Sequence, residues 1–139
     1  MKRNVYLLMV AALFAGTISL ECMSQPSSKA TMKEQTVNQL RHIVLLKFKD
    51  AATTEQVREV ENAFSGLPGK INTITGYEWG TNVSPENLAQ GFSHCFMVSF
   101  KDEAGRNFYL PHPAHAAFVK VLTPHLDKVL VIDFLGKSK

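Results

Sequence analysis

The sequence predicts an α+β domain in which a four-stranded antiparallel sheet carries helices on one face. Three observations support this. The chain has 139 residues with 45% hydrophobic and 19% charged side chains, enough for one domain with a proper core and ordinary for a globular protein. Short runs of β-branched and aliphatic residues exchange with runs of helical spacing in the order strand, helix, strand, strand, helix, strand. The first and last strands, "IVLL" and "VLVI", are apolar on both faces, so something besides helices has to cover the sheet. The order βαββαβ is that of the ferredoxin-like plait. The cheapest cover for its second face is another copy of the same sheet, which predicts a symmetric homodimer.

The elements follow in order. "RHIVLLKFK" (41–49) reads as the first strand. In "TTEQVREVENAFSGLPG" the side chains Val57, Val60, Phe64 and Leu67 recur at steps of three and four and share one helix face. Thr53 and Gln56 have the spacing of a capping box, and Pro68 with Gly69 ends the helix. "INTITGYEWG" (71–80) is a second strand weakened by Gly76, and "TNVSPENLAQG" is a turn-rich loop. "FSHCFMVSFK" (92–101) is a third strand, with His94, Phe96, Val98 and Phe100 on one side. "DEAGRNFY" is expected to be a short helix, "HPAHAAFVKVLTPHL" a longer one, and "KVLVIDF" (128–134) the last strand.

The segment before this domain reads differently. Lys2 and Arg3 precede an apolar run from Val5 to Leu20, a secretory signal pattern that is too short and wrongly flanked for a membrane span. Signal peptide over 1–24, polar linker over 25–40 and domain over 41–136 is the expected organisation. Cleavage after Ser24 gives a plain exported protein, periplasmic or extracellular. Lipidation of Cys22 gives an anchored lipoprotein, although Glu21 occupies a position where a small residue is usual. Cys95 then has no intramolecular partner and is expected to be a small buried apolar residue. The formal charge of +3, scattered among acids, makes no basic stripe and disfavours nucleic acid.

"RHIVLLKFKD", "YEWGTNVSPENLAQGFSHCFMVSF", "YLPHPAHAAF" and "DKVLVIDF" together resemble the stress-responsive dimeric A/B barrel (Dabb) family, from Arg41 to about Phe134. The resemblance implies a ferredoxin-like plait paired with a second copy as a dimeric α/β barrel. The family includes the plant olivetolic acid cyclase, which closes a linear polyketide by aldol condensation. Its tyrosine and histidine fall in the segment holding Tyr109 and His115, and its cavity histidines correspond to His42 and His94. The Tyr…His-Pro-x-His pattern belongs to the family at large, so it identifies the family better than a substrate.

The same residues can be read from chemistry alone. Pro113 suits the first position of a helix, which puts His112 at its cap and His115 in its first turn. The positive helix end disfavours imidazolium, leaving His115 neutral and able to accept a proton. A neutral imidazole beside a phenol can take a proton next to a carbonyl while the phenol stabilises the enolate oxygen. Tyr109 and His115 are therefore the candidate catalytic pair, and His42, His94 and His112 the candidate ligand-binding residues of a mostly apolar pocket. Both histidines of the motif could instead fasten the helix start to the sheet. A metal site is disfavoured, because His112 and His115 are three apart and no glutamate completes an H-E-x-x-H. No cofactor is implied, since no phosphate loop, nucleophilic serine motif or paired carboxylates are found. Trp79 and Phe108 are expected in the core and His125 at the surface. Three functions remain open: a barrel that binds a small organic molecule, a cyclase or lyase acting on a carbonyl compound, and a structural stress protein. A cavity lined by His42, His94, Tyr109 and His115 would favour the first two, and a filled interior the third.

Overall fold

The computed structural model describes residues 38–137. The expected signal segment, both cleavage alternatives and the linker up to residue 37 lie outside the described residues. β1 (Leu40–Phe48) leads into α1 (Thr54–Ser65), then β2 (Ile74–Thr81) and β3 (His94–Phe100). The short helix α2 (Glu103–Tyr109), the longer α3 (Pro113–Leu122) and β4 (Leu126–Leu135) complete it. The strands form one sheet in the order β2-β3-β1-β4, every neighbour antiparallel. This is the expected ferredoxin-like α+β plait. β1 begins one residue earlier than expected, taking in Leu40, and β4 gains Leu126, Asp127 and Leu135.

Local chemistry explains the helix starts. Thr53 Oγ1 accepts from the Gln56 amide at 3.3 Å while Gln56 Oε1 accepts from the Thr53 amide at 2.9 Å, which completes the capping box. The apolar stripe of α1 then buries Val60 and Phe64, and Leu67 just beyond it, with Val57 half-buried at its rim. Phe64 stacks on Phe96 of β3 at 4.2 Å and meets Phe118 of α3 at 4.6 Å, so one ring joins both helices to the sheet.

β2 starts three residues later than its sequence suggests. Ile71 and Lys70 instead close turns onto the Leu67 carbonyl, and a bulge falls between Ile74 and Gly76. A Cβ on Gly76 would stand 3.2 Å from the Ser99 side chain, so glycine serves close strand approach here.

The faces of the sheet differ. Leu40, His42, Val44 and Leu46 of β1 and His94, Phe96, Val98 and Phe100 of β3 point to the helices and are buried. On the other face Ile43, Leu45, Met97 and Cys95 meet no helix. Val129 to Ile132, Phe134 and Leu135 of the edge strand β4 are all exposed. Four burial expectations are corrected by the structure. Cys95 is exposed on the uncovered face. Trp79 is 43% exposed because β2 is the opposite edge strand, and Phe108 is 52% exposed because α2 is too short to turn two faces inward. His125 is half-buried rather than exposed.

Candidate functional site

Three of the five expected site residues come together between the sheet and the helices. Tyr109 ends α2 and is completely buried. Its ring lies 5.2 Å from that of Phe100, 5.7 Å from His42 and 4.4 Å from His115. The hydroxyl has no hydrogen-bond partner among the described residues. Burial pushes its pKa well above the usual phenol range, so it remains a neutral donor.

His115 sits in the first turn of α3. Its Nδ1 is 2.9 Å from the Leu110 carbonyl oxygen, which can only accept, so Nδ1 carries the hydrogen and Nε2 is left as the acceptor of the neutral ring. Burial lowers the pKa of His115. The carbonyl contact works against this, and neighbouring His42 adds to it. The imidazole is thus a free base at neutral pH.

His42 is held from behind. Its Nδ1 donates to Asp133 Oδ1 at 2.6 Å across the β1–β4 pairing, where the two residues are register partners. Asp133 Oδ2 accepts from Arg106 Nη1 of α2 at 2.5 Å. Burial alone would raise the Asp133 pKa. The hydrogen bonds from Arg106 and His42 outweigh it and keep the carboxyl ionised below its ordinary range. Asp133 and Arg106 were missed by sequence reasoning. An acid inside the apolar run "VLVIDF" is the one signal that could have singled out Asp133.

The side chains of the other two expected residues make their contacts elsewhere, although the His112 amide donates to the Tyr109 carbonyl at 3.0 Å. His94 pairs in register with Leu46, whereas His42 pairs with Val98, so the two histidines occupy different ends of the helix-facing side. His94 Nε2 donates to Glu61 Oε1 at 3.0 Å, and its Nδ1 lies 2.8 Å from Ser93 Oγ. The ring stacks with Trp79 at 6.4 Å. His112 caps α3: its Nδ1 accepts from the Ala114 amide at 3.1 Å, so that nitrogen is committed to the helix.

The cavity is also not the expected one. A concavity of about 580 Å³ opens beneath the 82–93 loop, lined by His94, Trp79, Cys95, Met97, Leu45 and Leu130 among others, and none of His42, Tyr109 and His115 reaches it. Among the described residues, no group of three or more histidines, cysteines and carboxylates is placed to hold a metal ion.

Residues 40–135 match the model of the Stress Responsive A/B Barrel Domain. The chain belongs to that family. A stress-response A/B barrel domain-containing protein of Arabidopsis thaliana is 36% identical over 105 residues, covering 76% of this chain and 96% of that protein. Olivetolic acid cyclase of Cannabis sativa is 30% identical over 99 residues, 71% of this chain and 98% of the cyclase. Among solved structures, a dimeric ferredoxin-like protein of unknown function from Thermobifida fusca superimposes with a TM-score of 0.62 at 28% identity, covering 70% of this chain and 91% of that one. A/B barrel relatives thus include an enzyme as well as proteins named only for their fold.

Proposed function

We propose that this A/B barrel protein is an exported homodimer that binds a small organic carbonyl compound between the sheet and helices α2 and α3. The observation that carries the reading is the Tyr109 hydroxyl, buried and unpaired beside the free-base ring of His115. A buried hydroxyl left without a partner costs roughly 1–3 kcal/mol, and a ligand carbonyl that accepts from it recovers that cost. Because Tyr109 is wholly buried, a ligand enters only when the α2–α3 end opens, so association is expected to be slower than for an open pocket. The dimer is supported by the uncovered apolar sheet face and by the dimeric relative of known structure. Export is supported by the basic and apolar pattern of the first 24 residues.

The His115 tautomer favours a second reading, an enzyme. With Nδ1 tied to Leu110, Nε2 is the nitrogen that takes a proton from carbon next to the carbonyl, and the Tyr109 hydroxyl donates to the developing enolate. Olivetolic acid cyclase, as a relative, supports chemistry of that class. Titration with β-dicarbonyl and polyketide-like compounds, followed for binding and consumption, tests both readings. Saturable binding that weakens in Tyr109→Phe is expected. Binding that is indifferent to Tyr109→Phe would place the ligand elsewhere. Turnover that disappears in His115→Gln makes the protein an enzyme, and binding without turnover makes it a carrier. Native mass spectrometry of protein from its own host would identify the ligand class directly.

A further inference from the structure

We infer that Arg106 is a positioning residue for this site: through Asp133 it fixes the orientation of His42, and through α2 it fixes the seat of Tyr109. What the site does rests on the function proposed above; how it is held rests on geometry alone. α2 has seven residues, too few to be stable by itself, and Tyr109 is its one buried side chain. Arg106 lies three residues before Tyr109, so both project from the same helix face. One docks on Asp133 and the other packs against His42. The His42–Asp133 cross-strand pair is therefore the surface on which α2 is seated, with Arg106 as the polar contact and Tyr109 as the apolar one.

The carboxylate is clamped at both oxygens. Oδ1 accepts from His42 and Oδ2 from Arg106, so it cannot turn without breaking a charge-assisted bond. The guanidinium is itself fixed, because Asn107 Oδ1 accepts from Arg106 Nε at 3.2 Å and from Nη2 at 3.0 Å. Nη1 is thereby aimed at Asp133 in advance. A lysine carries the charge but lacks this planar fork. The chain of contacts runs Asn107, Arg106, Asp133, His42, and ends on a ring whose edge meets Tyr109.

The test reads the ring hydrogen of His42, which needs no ligand. Full-length protein with ¹⁵N-labelled histidine is expected to show a protected His42 Nδ1–H resonance that is lost in Asp133→Asn. In Arg106→Met the exchange of that hydrogen with water is expected to quicken by roughly tenfold or more, as a strong charge-assisted contact is removed. Arg106→Lys, which keeps the charge and is the variant to use if Arg106→Met does not fold, is expected to show a smaller acceleration. A wild-type exchange rate in a folded Arg106 variant overturns the inference, as does a protected His42 Nδ1–H in Asp133→Asn. Titration of a β-dicarbonyl compound into wild type and Tyr109→Phe is run in parallel. Absence of carbonyl binding there counts against the proposed function, while the exchange data alone decide the role of Arg106.

Discussion

Tyr109 holds a hydroxyl at a cost, and that cost predicts the effect of removing it. Tyr109→Phe keeps the ring contacts with Phe100, His42 and His115 and deletes only the unpaired oxygen. Melting experiments should therefore show the variant equal to wild type or more stable, by up to roughly 1–3 kcal/mol. Carbonyl binding should weaken by roughly 0.5–1.5 kcal/mol, and turnover, if the protein is an enzyme, should lose roughly 2.7–4 kcal/mol of transition-state stabilisation. Lower stability with unchanged binding would mark the hydroxyl as structural. His115 makes a prediction about pH. Its pKa in the folded chain lies below the ordinary 6.5, so below that pH the unfolded chain takes up a proton that the folded one resists. The associated stability is present above about pH 6.5 and is lost as the pH falls through the folded value. Asp133, also lowered, acts in the same direction from about pH 3.8 downward. The melting temperature of wild type should thus decline between pH 7 and 5 more steeply than that of His115→Gln, and equal slopes would contradict the assignment.

At the scale of the element, the start of α3 separates capping from binding. His112 spends its Nδ1 on the Ala114 amide, a task asparagine also performs. His112→Ala should cost about 1 kcal/mol in denaturant unfolding, and His112→Asn a few tenths. Neither should alter carbonyl affinity, because the imidazole is committed to its own helix. A His112→Asn variant with normal stability and lost binding would return His112 to the site. α1 provides the control: Thr53→Ala breaks the capping box and should also cost about 1 kcal/mol, on a helix that carries none of Tyr109, His115 and His42.

The whole molecule turns on the uncovered sheet face. Ile43 and Ile132 are register partners, as are Leu45 and Leu130, and both pairs lie on the side that no helix covers. An apolar face of this kind is stable in water when it is buried against a copy of itself. Light scattering on residues 38–137 should give twice the chain mass, and Ile132→Glu should give a monomer by placing an unpaired charge in the centre of the contact. A wild-type monomer at micromolar concentration would refute the dimer. Because Asp133 follows Ile132 on β4, loss of the dimer is also expected to loosen the contact between Asp133 and His42, which the His42 ring hydrogen would report.

What the sequence determined by itself is what short-range physics controls. Element order, the buried stripe of α1, the Thr53–Gln56 box, Pro113 at a helix start with His112 as its cap, and the inward side of β3 all follow from periods of two to four residues. Family resemblance further placed Tyr109, His115, His42 and His94 in one site, of which the structure joins the first three and sets His94 apart. Tertiary structure decided everything that depends on distant partners. His42 meets Asp133 from 91 positions away, Arg106 reaches Asp133 across 27, and His94 finds Glu61 across 33. The same holds for exposure: Trp79 and Cys95 look like core residues in the chain but lie on an edge strand and on the uncovered face. Hydrophobic spacing tells a side chain which face to take, whereas only the packed sheet decides whether that face is covered and which charge stands opposite.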